Sequence, residues 1–199
     1  MKRITALLYH DFTALDALGP LEVLGRLPGY EIRYASLFGG PVSNEKGLVV
    51  MTEALSSPGP GDILLIPGGM GSRQLVLQDD FLAALRKAAL ESTLVMTVCT
   101  GSALAAAAGL LDGLHATGNK RAFDWTMSMG KKVLWQRDAR WMRDGKFYTA
   151  AGVSAGIDMA LGFVADRFGR ERALSLAEGM EYVWNERPED GWCFKRQGK

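Results

Sequence analysis

Thr93-Leu94-Val95-Met96-Thr97-Val98-Cys99-Thr100-Gly101-Ser102, running on into Ala103 to Leu111, is the stretch that decides the fold. Thr93 to Val98 is a short, nearly continuous apolar run, the pattern of a strand covered on both faces. Ala103 to Leu111 is alanine-rich and suits a helix. Between them a cysteine is followed by residues small enough for a tight turn. A strand that ends on a nucleophile, with small neighbours leading into a helix, is how a nucleophile elbow is built.

Reading outward, the same alternation recurs. Ile4 to Tyr9 reads as a first strand, followed by a loop from His10 to Leu15. Leu18, Leu21, Val23, Leu24 and Leu27 then give a helical stripe, with Asp16 near its start, Pro20 in its first turn and Pro28-Gly29 at its end. Glu31 to Leu37 is a second strand, and Gly40 to Met51 holds a short hairpin around Asn44 to Gly47. After the loop Ser56 to Gly61, the apolar run Asp62 to Ile66 breaks at Pro67-Gly68-Gly69. Asp79 to Glu91 carries helical periodicity, and His115 to Thr117 is a short strand. Asp144-Gly145, between Trp141 to Arg143 and Lys146 to Thr149, is a two-residue hairpin signal. Helices over roughly Ser154 to Phe168 and Arg170 to Val183 precede a polar tail. Apolar strands alternating with helices predict one α/β domain over residues 1–199, doubly wound and flavodoxin-like. Its sheet is expected to be mostly parallel, with helices on both faces. Sites in such sheets lie beyond the carboxyl ends of the strands, here near Tyr9, Ile66 and Val98.

Bulk properties narrow the function classes. With 199 residues, 48% of them hydrophobic, the chain can bury a sizeable core without disulfides or metals. A formal net charge of +1 gives no electrostatic reason to expect nucleic acid or an anionic membrane as partner. The apolar run after Met1-Lys2-Arg3 stops at Tyr9-His10-Asp11, too short for a signal peptide, and no stretch is long enough to span a bilayer. A cytoplasmic location is expected. Two cysteines and two histidines without close spacing make no zinc site, so neither metal nor cofactor is expected.

Several residues could carry chemistry. Cys99 just before a helix would feel free N–H groups and the helix dipole, which favour a thiolate. About 2 kcal/mol from that source lowers a thiol from about 8.5 to about 7. The alternative is a buried structural cysteine. The glycines of Pro67-Gly68-Gly69-Met70-Gly71 could aim N–H groups into a cavity as an oxyanion hole, or could form a plain turn. Asp16 could cap its helix, or face Cys99 from the same rim of the sheet. His10 ends the first strand beside Asp11, His115 reads as a surface residue, and nothing near Cys193 forms an elbow.

Five segments in order resemble the ThiJ/PfpI superfamily, whose fold is similar to that of class I glutamine amidotransferases. They are Asp16 to Leu24, Ile66 to Gly69, Val98 to Ser102, Ala108 to Gly113 and Ala150 to Asp158. Within the superfamily the chain looks most like the isocyanide hydratase branch, which pairs an Asp in an Asp-x-x-Gly-Pro segment with a Cys-Thr-Gly elbow. That resemblance implies Cys99 as nucleophile, Asp16 as its proton partner, and main-chain N–H groups of Thr100 and Gly69 in the site. It also implies a small-molecule substrate and a homodimer. Ala116-Thr117-Gly118-Asn119-Lys120 departs from the Ala-Thr-Thr-His-Trp often seen in that branch.

The implied reaction is hydration of an isocyanide to an N-substituted formamide through a thioimidate on Cys99. Two acidic groups side by side are expected to share one proton near neutral pH. An amidotransferase triad would need a histidine beyond residue 115, and none is present. A glyoxalase or deglycase activity, or a redox sensor in which Cys99 forms a sulfenic acid, are the competing readings. The sensor half of AraC-type regulators uses the same domain, but no helix-turn-helix segment is expected here.

Overall fold

The computed structural model describes residues 1–189. The chain begins with β1 (Lys2–Leu7), α1 (Ala14–Leu24), β2 (Tyr30–Ser36), β3 (Gly40–Ser43) and β4 (Val49–Ala54). There follow β5 (Ile63–Ile66), α2 (Ser72–Leu75), α3 (Asp79–Glu91), β6 (Leu94–Val98) and α4 (Gly101–Ala107). Next come β7 (His115–Ala116), α5 (Phe123–Ser128), β8 (Leu134–Trp135), β9 (Trp141–Asp144) and β10 (Phe147–Ala150). The last elements are α6 (Ala155–Phe168) and α7 (Arg170–Gly179).

The main sheet has eight strands in the order β3-β4-β2-β1-β5-β6-β10-β9. Its five central strands, β2, β1, β5, β6 and β10, run parallel, with Ile4 opposite Ile63 and Val95 opposite Phe147. The antiparallel pairs are the hairpins β3–β4 and β9–β10, the latter turning at Asp144-Gly145. The mostly parallel α/β architecture expected from the alternation is therefore present. Every residue of β5 and β6 is buried, which is why these runs read as continuously apolar rather than alternating. The chain leaves β1 for β2 on one side and later enters β5 on the other. The carboxyl ends of β1 and β5 thus form the switch-point crevice, and an isolated bridge between Phe12 and Gly69 ties its two loops together.

Two helices are shorter than their periodicity suggests. α4 stops at Ala107 because Gly109 takes a left-handed φ of 69°. α7 stops at Gly179, short of the expected Val183, and Glu181 turns the chain at φ 51°. What diverts it is Asp158, fully buried in the first turn of α6. Asp158 accepts hydrogen bonds from Tyr182 Oη at 3.1 Å and the Asn185 N–H at 2.9 Å, and its carbonyl takes Trp184 Nε1 at 3.2 Å. Its counter-charge is Arg140, whose Nε lies 2.7 Å from Oδ2. Burial of a carboxylate is offset here by one cation and two further donors, a stronger local demand than another turn of helix.

Arg140→Ala leaves that buried carboxylate without its cation and is expected to lower stability by about 3–5 kcal/mol. Urea unfolding reads this as a lower midpoint at an unchanged slope; a loss under about 1 kcal/mol would contradict this role for the pair.

Candidate active site

Cys99 follows β6 directly and adopts a left-handed φ of 60°, unusual for a residue with a Cβ. Its N–H donates to the Ala150 carbonyl at 3.0 Å, so β10 fixes the turn from the neighbouring strand. The conformation is held by close approach of Gly152, whose φ is 86°. A Cβ on Gly152 would lie 2.5 Å from Cys99 Cβ and 3.2 Å from its sulfur. The tight strand-to-helix turn expected at Cys99 is therefore present, with Gly152 as its backing.

Asp16, in the first turn of α1, is fully buried and shares the site with Cys99. The Gly68 N–H donates to Asp16 Oδ2 at 3.0 Å, while Oδ1 is buried without a partner. Gly68 cannot carry a side chain here: its Cβ would stand 2.5 Å from the Thr100 nitrogen and 2.8 Å from Asp16 Oδ2. The carboxyl and the thiol are near enough for each to shift the other's proton affinity. Burial pushes Asp16 up to about 7, against the opposing pull of the Cys99 and Gly68 hydrogen bonds. Burial, then the Asp16 charge, pushes the Cys99 thiol up to about 12, against donors from the Thr100 N–H and Asn119.

Two expectations change at this point. The helix-lowered thiol expected near pH 7 is opposed here, because burial raises the Cys99 thiol and α4 has only seven residues. Burial favours the thiol over the thiolate at rest. Likewise, the N–H groups of Gly68 and Gly69 are not free for a substrate oxygen. Gly68 holds Asp16, and Gly69 donates to Thr100 Oγ1 at 2.9 Å. These glycines position the acid and the elbow. Thr100 contributes its N–H to the sulfur, and its hydroxyl is further anchored by Ser72 Oγ at 3.0 Å.

His10 and His115 lie elsewhere. His10 Nδ1 is 3.3 Å from Ser43 Oγ, and His115 pairs with Asp144 at 3.2 Å on the surface. Cys193 falls outside the described residues. Among those residues no His, Cys, Asp or Glu cluster could hold a metal, and no helix is long and apolar enough to cross a membrane.

Asn119 and Gly152 are the site residues that motif reading did not single out, and Tyr9 stood there only as a strand end at the site's rim. Asn119 Nδ2 lies 3.0 Å from Cys99 Sγ. Tyr9 donates its hydroxyl to the Pro67 carbonyl at 2.7 Å, and burial, then Asp16 and Cys99, keep the phenol protonated well above its usual range. The one available signal was Asn119 standing in a segment that departs from the branch pattern.

The model of the DJ-1/PfpI family matches residues 2–166. The chain belongs to that family. Isonitrile hydratase of Pseudomonas putida is 32% identical over 182 residues, covering 91% of this chain and 78% of the relative. The HTH-type transcriptional regulator GbdR of Pseudomonas aeruginosa is 28% identical over 187 residues, covering 88% of this chain. This DJ-1/PfpI chain spans only 49% of that regulator. Among solved structures, a ThiJ/PfpI family protein from Pseudomonas syringae superposes with a TM-score of 0.81 at 28% identity, over 92% of this chain and 76% of that one.

The raised Asp16 has a consequence for stability. In the unfolded chain Asp16 ionises near 3.8, and in the folded protein near 7. Its penalty is therefore absent below about pH 4, grows up to about pH 7, and is constant above. Asp16→Asn is expected to raise the melting temperature above pH 7, with the gain shrinking toward zero at pH 4. The shift caps that gain at about 4 kcal/mol, and burial of the new amide reduces it. A gain that is the same at pH 4 and pH 8 would contradict the burial account.

Proposed function

We propose that this protein is a cysteine-dependent hydratase that adds water to a small isocyanide to give an N-substituted formamide. The observation that carries the reading is the buried Asp16 carboxyl, fixed by Gly68 beside Cys99 with one oxygen unpartnered, which burial pushes up to about 7. The 32% identity to isonitrile hydratase supports the substrate class.

The chemistry follows from the protonation states. A thiol at about 12 is a poor nucleophile at neutral pH, so its proton must leave as the bond to carbon forms. Ionised Asp16 takes that proton while the sulfur attacks the terminal isocyanide carbon. Protonated Asp16 then delivers it to the same carbon, giving a thioimidate, R–N=CH–S. Water adds to this carbon as Asp16 takes its proton and passes it to the nitrogen, giving R–NH–CH(OH)–S. Collapse expels the sulfur while the hydroxyl proton passes through Asp16 to it, leaving the formamide. The balance is isocyanide plus water to formamide, with thiol and carboxylate restored.

A glyoxalase or a peroxide sensor is less well supported. The 32% identity to isonitrile hydratase favours the hydratase reading over both.

Steady-state assays with a small alkyl isocyanide test the reading. Cys99→Ala is expected to abolish turnover, and Asp16→Asn to slow it by roughly 10²–10⁴-fold. In the wild type, kcat/KM falls tenfold per pH unit below about 7, where Asp16 protonates, and Asp16→Asn loses this limb. No turnover of any isocyanide, or turnover that survives Cys99→Ala, would overturn it.

We further propose a homodimer. Leu15 and Leu18 on α1 are 44% and 39% exposed, and Val153, next to Gly152, is 39% exposed. A second copy would cover these exposed apolar side chains. Leu18→Glu is expected to shift light-scattering mass from two chains to one; a monomeric wild type would remove the proposal.

A further inference from the structure

Asn119 is held by three contacts that leave its amide only one way round. Its Oδ1 accepts the Ala122 N–H at 2.9 Å, and its own N–H reaches the Cys99 carbonyl at 3.3 Å. With the oxygen committed, the amide nitrogen faces Cys99 Sγ at 3.0 Å. The residue is half-buried, in a loop that also packs Gly118 on the Cys99 carbonyl. The Thr100 N–H supplies a second donor to the sulfur, and Asp16 stands beside it as the acid.

We infer that Asn119 is a catalytic residue: its amide nitrogen stabilises the charge that develops on Cys99 sulfur as the thiol proton passes to Asp16. This rests on Cys99 being the nucleophile of the proposed reaction. The amide gives up no proton of its own. The S–H bond breaks, the proton goes to Asp16, and the electron pair stays on sulfur until it forms the bond to the electrophilic carbon. A donor to sulfur is stronger when sulfur is negative than when it is a neutral thiol. The contact therefore favours the attacking state over the resting one, which is the condition for lowering a barrier. An amide has no titration in the working range. Of the ionisable groups that act on Cys99, Tyr9 stays protonated, so Asp16 alone exchanges the proton. A histidine in this position would bring a competing base to the sulfur; Asn119 supplies a donor without one.

Asn119→Asp separates this role from a scaffolding one. The aspartate retains an oxygen for the Ala122 N–H, so the loop keeps its anchor, but it replaces the donor to sulfur with a negative acceptor. Asn119→Ala removes both. The rate of Cys99 alkylation by iodoacetamide, followed by peptide mass spectrometry from pH 6 to 9, reports the sulfur without requiring an isocyanide. Asn119→Ala is expected to alkylate about tenfold more slowly than wild type at pH 7.5. Asn119→Asp should be slowed at least as much while melting within a few degrees of wild type. With an isocyanide, kcat should fall in both variants with little change in KM. If Asn119→Asp alkylates like wild type while Asn119→Ala does not, Asn119 only anchors its loop and the inference is wrong. Wild-type alkylation in both variants overturns it as well. Slowed alkylation together with no isocyanide turnover in any form of the protein would sink the substrate assignment and leave Asn119's role standing.

Discussion

A carboxyl group removed from water beside a thiol is the constraint around which this molecule is built. Asp16 sits in the first turn of α1 with no exposed surface, in a place where an ordinary carboxylate would be strongly disfavoured. One backbone N–H, from Gly68, holds Oδ2 and nothing holds Oδ1. Partial compensation leaves the acid neither permanently charged nor permanently neutral. That intermediate state lets one group both accept and return a proton near pH 7. Had a cation stood against it, as Arg140 stands against Asp158, it would be held closer to its charged form and less able to return a proton.

The rest of the fold brings three chain segments to one point. β1 leads through residues 8–13 into α1, β5 runs on into Pro67-Gly68-Gly69, and β6 runs on into Cys99. In a parallel sheet these ends line up on one rim, and at the switch point no crossover covers them. Close approach then sets the residue types. Gly68 must lack a side chain to lie between Asp16 and Thr100, and Gly152 must lack one to back the cysteine. The Asp158 anchor does its work one layer away, fixing the start of α6 and the chain after Gly179 against the strand that supports this loop.

Much of this was legible in the amino acids. The runs Ile63–Ile66 and Leu94–Val98, apolar but for Thr97, announced buried parallel strands, and Cys99 followed by Thr100-Gly101 announced the elbow. Asp16 was visible through the company it keeps in Asp16-Ala17-Leu18-Gly19-Pro20. What could not be read was the balance of terms at the sulfur. Spacing shows a cysteine before a helix, and that argues for a lowered thiol. Only packing shows how little water reaches it, and desolvation reverses the sign. Asn119 was hidden for a related reason. It lies 20 residues from Cys99 in a loop with no periodicity, and only the tertiary fold brings the two together. The helical periodicity of α7 runs past its end because a buried carboxylate in another helix recruits the residues after Gly179.

Difference infrared spectroscopy across a pH titration, comparing the wild type with Asp16→Asn and Cys99→Ala, reads both partners in the resting protein. The account predicts an S–H band, absent in Cys99→Ala, that persists from pH 5 to 9. It also predicts a protonated carboxyl band, absent in Asp16→Asn, that fades with a midpoint near 7. A sulfur already deprotonated at neutral pH, or an Asp16 already ionised at pH 5, would contradict it.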